Sequence, residues 1–422
     1  MGAHHRWRTL LPNLDHRVWI LALGRLLLQL GIGFTLFYAP IFFVNQVGLS
    51  ATAVGLGLGA QSITGIGGRL LGGSMADSPR WGRRQTLLLA AAISAVADGV
   101  FVLSTGFSTF VAGNLLMGMG IGLYWPAAEA MVADLTAAAA RNEAYALVRL
   151  ADSLGVSLGV MLGGWLITAT GAYRALFVID GLTFLIFLAI VALALAETRP
   201  AQRQPSQFWQ GWGVALKDRR LLTFFVVNIL FTTYLSQVQS TLPVYLNRFA
   251  QLPNGQPFSE QVLSGLFAAH VTLTAILQLP VARRLRQLRA ARALMISLGL
   301  WAVGYGAVWL TSTGAALVWA GVGLTILAGA TVVYMPVAST LVTDLATSDL
   351  RGVYLSVNSL CWAVGYLIGP PAGGWALDQP TAIAQGFWLA LSALCLPGLL
   401  ILQHLDRQTP GEQMQPPATL KP

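Results

Sequence analysis

The sequence predicts an all-α membrane protein of twelve transmembrane helices in two six-helix, pseudo-symmetric halves, and three observations carry that prediction. The first is composition: 55% of the 422 residues are hydrophobic and only 10% are charged, whereas soluble domains carry about a quarter charged residues. The second is the recurrence of apolar runs of about 20 residues, each long enough to cross the hydrocarbon core as a helix. The third is an internal repeat at a shift of 210 residues, which carries Gly113 onto Gly323. Inside lipid the backbone must satisfy its own hydrogen bonds, which selects helices over open strands.

In chain order the predicted spans are 18–44, 50–76, 85–106, 108–133, 143–170, 174–196, 221–246, 260–282, 290–311, 314–343, 352–377 and 382–402. The first is too long for a signal peptide, and no small-residue cleavage pattern follows it. Residues 1–198 form the first half and 221–405 the second. The stretch "ETRPAQRQPSQFWQGWGVALKDRR" contains the cytoplasmic linker, 199–220, in which Phe208, Trp209, Trp212, Val214 and Leu216 suggest a short amphipathic helix on the membrane. Residues 406–422, rich in Pro and Gln, read as a disordered cytoplasmic tail.

The net charge of +9 is distributed by loop rather than gathered into a nucleic-acid patch. Arg6, Arg8, Arg17, Arg80, Arg83, Arg84, Arg141, Arg199, Arg203, Lys217, Arg219, Arg220, Arg283, Arg284, Arg286, Arg289, Arg292, Arg351, Arg407 and Lys421 fall on one side, and only Arg174 and Arg248 on the other. Positive residues mark the cytoplasmic face, so both termini are expected there, with the chain multi-pass in the plasma (inner) membrane. Cys361 and Cys395 lie within predicted helices and frame neither a disulfide set nor a metal site.

The repeat aligns Tyr124, Pro126, Asp134 and Arg141 with Tyr334, Pro336, Asp344 and Arg351. It also places Gly155, Gly159, Gly163, Gly164 and Trp165 on Gly365, Gly369, Gly373, Gly374 and Trp375 without a gap. Such a shift describes parallel repeats about an axis along the membrane normal, with the substrate site between the halves. Glycines four apart stay on one helical face and form a groove for close helix approach, so the two segments read as duplicated packing surfaces, with a direct transport role as the alternative. Pro370 and Pro371 would kink or loosen the second copy.

The segment "GGSMADSPRWGRR" between spans two and three resembles the signature loop of the major facilitator superfamily, with Gly73, Asp77, Arg80, Gly82, Arg83 and Arg84 matching and two extra residues between Asp77 and Gly82. Gly365, Gly369, Pro370, Gly373 and Gly374 resemble that superfamily's antiporter motif; in the first copy Val160 takes the proline position. "LKDRRLLTF", "QVQSTLPVYL" and "GAYRALFVIDGLTF" are similar to its bacterial multidrug-efflux, drug:proton antiporter branch. The resemblance implies the major facilitator fold over residues 15–405. It also implies a conformational latch of Gly73, Asp77, Arg80, Gly82, Arg83 and Asp134, in which Asp77 caps a helix end and Asp134 pairs with Arg80 or Arg83. A loop that only sets topology is the alternative.

Charges within spans are functional candidates because each is costly in the bilayer. Arg25, Arg69, Asp98, Glu129, Arg149, Asp152, Asp180 and His270 qualify. Arg149 and Asp152 share a helical face with the first glycine stripe, and Glu129 and Arg25 lie at similar depth. Glu129, Arg149, Asp152, Arg25 and His270 are the proton-coupling candidates, against the alternatives of a neutralised ion pair and, for His270, a hydrogen-bonded spacer. Asp98 and Asp180 fall on helices that the resembled fold keeps outside the central cavity, and they are set aside. That family often carries an arginine where Asn114 or its neighbours stand here.

Substrate-cavity candidates are Gln29, Tyr38, Tyr124, Trp125, Asn228, Thr232, Gln239, Thr274, Tyr334, Asn358 and Trp362, with aromatic belts or helix-to-helix hydrogen bonds as the alternative for several. Gly155-x-Ser157-x-Gly159 lacks the strand-to-helix turn a hydrolase nucleophile needs, and there is no phosphate-binding loop or zinc-protease motif. The expectation is a transporter without cofactor, not an enzyme: proton-coupled export of amphipathic small molecules by alternating access. Its partners would be a small-molecule substrate, protons and the lipid bilayer, with no nucleic acid and no metal, and the chain would be a monomer. A facilitator or symporter of a sugar or organic acid is the alternative, and a non-transporting membrane sensor is the reading from another class.

Overall fold

Proline spacing explains where the helices break. The computed structural model describes residues 14–137, 140–198, 213–285, 288–345 and 351–408. Within them run α1 (His16–Leu36), α2 (Tyr38–Asn45), α3 (Ala51–Asp77), α4 (Gly82–Leu103), α5 (Phe107–Asp134), α6 (Arg141–Thr170) and α7 (Tyr173–Ala194). They are followed by α8 (Arg219–Gln239), α9 (Thr241–Phe249), α10 (Glu260–Leu285), α11 (Ala290–Leu310), α12 (Ala316–Leu345), α13 (Arg351–Leu377), α14 (Thr381–Ala393) and α15 (Cys395–Gln408). Three predicted single spans are each interrupted by one residue, at Phe37, Ser240 and Leu394. Pro40, Pro243 and Pro397 stand just beyond those interruptions. A proline ring clashes with the carbonyl four residues back and offers no N–H to it. Those carbonyls belong to Leu36, Gln239 and Ala393, the last residues of α1, α8 and α14. Pro126, Pro280, Pro336, Pro370 and Pro371 sit inside helices that continue past them.

Ten helical stretches among the described residues are long and apolar enough to cross a membrane, counting α1 with α2 and α14 with α15. The first part of the linker, 199–212, and the tail from 409 lie outside the described residues.

The chain divides into two units, Met1–Tyr38 with Ala60–Gln204, and Ala39–Gly59 with Pro205–Pro422. In the first, α1 packs along α6 and α7, and α4 along α5 and α7. In the second, α8 packs on α13, and α12 on α10 and α11. Residues 39–59, placed by the sequence in the first half, cluster with the second unit through α2, the following loop and the start of α3.

Candidate functional site

Close approach of α1 and α6 is what allows buried charge to pair. A methyl group at Gly159 would stand 2.8 Å from Gly33 Cα and collide with the Leu30 carbonyl oxygen, so only glycine admits this spacing. Two turns earlier on α6, Asp152 accepts from Arg25 Nε at 3.0 Å and Nη2 at 2.5 Å, a bidentate pair. Arg25 is 0% exposed. Its Nη1 lies 3.6 Å from Glu129 on α5, and Arg149 Nη2 reaches the same carboxylate at 3.5 Å. The Trp125 ring carries both guanidinium groups, with Arg25 Cζ at 5.1 Å and Arg149 Cζ at 5.7 Å from its centroid. Four of the five proton-coupling candidates therefore meet. The fifth, His270, is in the other unit, buried on α10 with Nδ1 2.8 Å from the Leu324 carbonyl oxygen.

A small cavity in the first unit is lined by Gln29, Ser94, Ile121, Tyr124, Trp125 and Phe184, among others. Tyr124 stands 7% exposed and 5.9 Å from Arg25 Cζ by its ring centroid. Tyr38, the fourth cavity candidate in this unit, is buried instead, donating to the Val160 carbonyl at 3.0 Å.

The signature loop holds a second charged cluster. Arg83 donates to Asp77 at 2.7 Å, to Asp134 at 3.1 Å and to the Ala76 carbonyl. Of the two arginines expected to meet Asp134, Arg83 does so; Arg80, among the described residues, has its backbone N–H bonded to Ser78 at 3.2 Å. Gly82 has φ +75°, and a side chain there would strike Glu197. Glu197 accepts from the backbone N–H of Arg83 at 2.9 Å and of Arg84 at 3.0 Å, capping the exposed donors at the start of α4. A methyl at Gly73 would meet nothing.

The second unit's polar stripe is neutral. Asn228 donates to Asn358 at 2.7 Å and accepts from Tyr334 at 2.6 Å; Thr232 donates to the Cys361 carbonyl at 2.8 Å. Gln239 accepts from Tyr366 at 2.8 Å, Trp362 stacks on Tyr366 at 5.9 Å between centroids, and Thr274 donates to the His270 carbonyl at 2.8 Å. Several cavity candidates thus join helices of one unit.

Two groups were missed from sequence. Glu197 is an acid directly after an apolar run, beside a basic loop, which is a recognisable capping signal. Asp378, after α13, accepts from the backbone N–H of Ala51 at 2.9 Å and of Thr52 at 2.8 Å, and from the Thr52 hydroxyl at 2.6 Å. Burial opposes ionisation of Asp378, but these bonds and the Ser50 hydroxyl outweigh it and hold the carboxyl below its ordinary pKa. The ends of α2 and α9 add Asn45 donating to Asn247 at 2.6 Å and accepting from Arg248 at 3.2 Å. No local motif links positions so far apart in the chain.

Among the described residues, no group of three His, Cys, Asp or Glu side chains is placed to hold a metal ion. Long apolar helices with charges buried among them define a multi-pass membrane protein. The Major Facilitator Superfamily model matches residues 21–255 and 255–421, and the chain belongs to that family. Membership makes it a transporter rather than an enzyme. Over 413 residues it is 27% identical to "Multidrug resistance protein MdtH" of Photorhabdus laumondii, covering 92% of this chain and 94% of that protein. The Salmonella typhimurium protein of that name is 26% identical, covering 95% and 97%. In fold the chain is similar to the nucleoside transporter NupG, with a TM-score of 0.76 at 13% identity over 92% of this chain and 99% of that one. An auto-inhibited POT family peptide transporter gives 0.77 at 16% identity, over 96% and 99%.

Proposed function

We propose that this transporter exports amphipathic small molecules across the plasma (inner) membrane by alternating access, in exchange for protons. In this reading twelve helices form two six-helix halves, residues 1–198 and 221–405, joined by the linker 199–220, with both termini cytoplasmic and the chain a monomer. The observation that carries the proton exchange is Arg25, fully buried and shared by Asp152 and Glu129. One arginine between two carboxylates stabilises both anions while it is centred. Moving it toward either one takes the shared cation from the other, whose charge a proton can then balance. Arg25 lies on α1, Glu129 on α5 and Asp152 on α6, so helix movement changes which carboxylate it serves. The relatives named multidrug resistance proteins support the substrate class.

The test uses everted vesicles with an acid interior, reported by a pH-sensitive dye, and a panel of lipophilic cations, antibiotics and metabolites. Compound-dependent proton release with wild type and none with Asp152→Asn is expected. Release that is unchanged in Asp152→Asn and Glu129→Gln removes the cluster as the coupling site. Silence of the wild type across the panel removes proton-driven export.

A further inference from the structure

Asp98 on α4 and Asp180 on α7 are each 1% exposed, and neither belongs to the Arg25 cluster. Both oxygens of Asp98 and Oδ1 of Asp180 lack a hydrogen-bond partner among the described residues. The one bond given to the pair comes from α1, where Thr35 Oγ1 donates to Asp180 Oδ2 at 2.9 Å. The two carboxyls are electrostatic neighbours. A methyl on Gly181, next to Asp180, would stand 3.2 Å from Asp98 Cβ and 4.0 Å from its Oδ2, so the Asp98 side chain lies against α7. A methyl on Gly31 would stand 2.6 Å from Asp180 Oδ1. Glycines on α1 and α7 thus leave the space these carboxyls occupy.

The cations on the elements packed around the pair have other partners. Arg25 on α1 holds Asp152. Arg83 and Arg84, at the opposite end of α4, hold Asp77, Asp134 and the Ala192 carbonyl. Arg174 on α7 donates to the carbonyls of Val102 and Ser104. His16 and Arg17 stand at the far end of α1 with Asp15. The acids of α5, Glu129 and Asp134, belong to the two arginine clusters, and Tyr124 faces Arg25. Two adjacent ionised carboxylates without a cation, and with one hydroxyl donor between them, carry a desolvation cost that nothing repays. One proton removes the repulsion and supplies the missing donor: a carboxylic acid O–H directed at the neighbouring carboxylate.

We propose that Asp98 and Asp180 form a proton-binding site, two carboxyls holding one proton, whose occupancy is transmitted to α1 through Thr35. Release breaks one O–H bond, sends the proton to water and leaves two anions. The repulsion then acts on α4 and α7, while the Thr35 bond becomes wholly charge-assisted. Thr35 is ten residues beyond Arg25, about 15 Å along α1, so one helix would read both charged sites. The role in transport rests on proton-driven export; the holding of a proton does not.

Infrared difference spectroscopy of the purified protein in lipid, titrated from neutral to alkaline pH, tests the site directly. Wild type is expected to show a neutral carboxylic-acid carbonyl signal near pH 7 that disappears on alkalinisation, and Asp98→Asn/Asp180→Asn to lack it. Identical spectra for the two proteins throughout the titration overturn the proposal. Thr35→Val keeps both carboxyls and tests the site should the double variant fail to fold: it is expected to shift the pH at which the signal is lost, and an unshifted titration overturns the link to α1. A wild type that retains the acid signal but moves no compound in the vesicle assay sinks the export reading and supports the site.

Discussion

On α6, Gly155 faces the Leu26 carbonyl oxygen, with Leu30 N at 3.0 Å from where a side chain would start, and Gly159 faces the backbone of Leu30 and Gly33. On α13, Gly369 and Gly373 face side chains instead, the hydroxyls of Ser236 and Thr241 and the Gln237 amide. The same spacing therefore serves two interfaces. The α1–α6 contact is backbone on backbone and carries a buried ion pair, Arg25 with Asp152. The α8–α13 contact is lined by hydroxyls and amides and is tied by Asn228 and Asn358. Small residues set how near two helices come. The partner helix sets whether the space between them is charged.

The largest expected break in that comparison is Asp152→Asn. It leaves Arg25 with Glu129 alone at 3.6 Å, and loss of a buried partner of this kind costs about 3 kcal/mol. Thermal unfolding in detergent should show a clear fall in midpoint; no fall would mean that the pair does not hold α1 on α6. Next comes Gly159→Ala, whose methyl meets backbone that has no rotamer to change, at about 2 kcal/mol as for an overpacked core. Gly369→Ala should cost less, because the Ser236 hydroxyl can turn away, and equal losses in the same unfolding assay would erase the distinction. Asn228→Ala leaves Tyr334 and Asn358 without their shared partner, at about 1 kcal/mol, and it should leave pH-dependent transport intact where Asp152→Asn does not.

The smallest expected effect is at Asp378. Its folded pKa is depressed, so its bonds to Ala51 and Thr52 contribute stability above the ordinary carboxylate range, and that contribution is lost as pH falls through the folded value. Asp378→Asn should flatten the acid limb of a stability-against-pH curve and leave the alkaline limb unchanged. An acid limb as steep as wild type would show that this loop contact does not stabilise the fold.

Much of the helical pattern was legible because its cause is local. Apolar length marks the spans, and proline chemistry accounts for the interruptions at Phe37, Ser240 and Leu394, although the spans were read as continuous. The Arg25, Glu129, Arg149 and Asp152 grouping was readable from depth and helical face. Asp98 and Asp180 were set aside because the resembled fold keeps their helices from the central cavity, a criterion blind to a site enclosed within one unit. Asp378 was invisible, since its partners Ala51 and Thr52 lie in a part of the chain that no repeat or spacing connects to it.

By itself the sequence determined that this chain is helical and membrane-bound, which loops carry its basic residues, and which glycines repeat. These follow from composition and short-range periodicity, where the solvent or the neighbouring turn is the partner. Only the tertiary structure decided which acid each arginine serves, that Arg83 rather than Arg80 joins Asp134, and that Asp98 and Asp180 are buried with Thr35 as their one side-chain donor among the described residues. Desolvated charges select partners within a few ångström whatever their separation along the chain, and that distance is a property of packing.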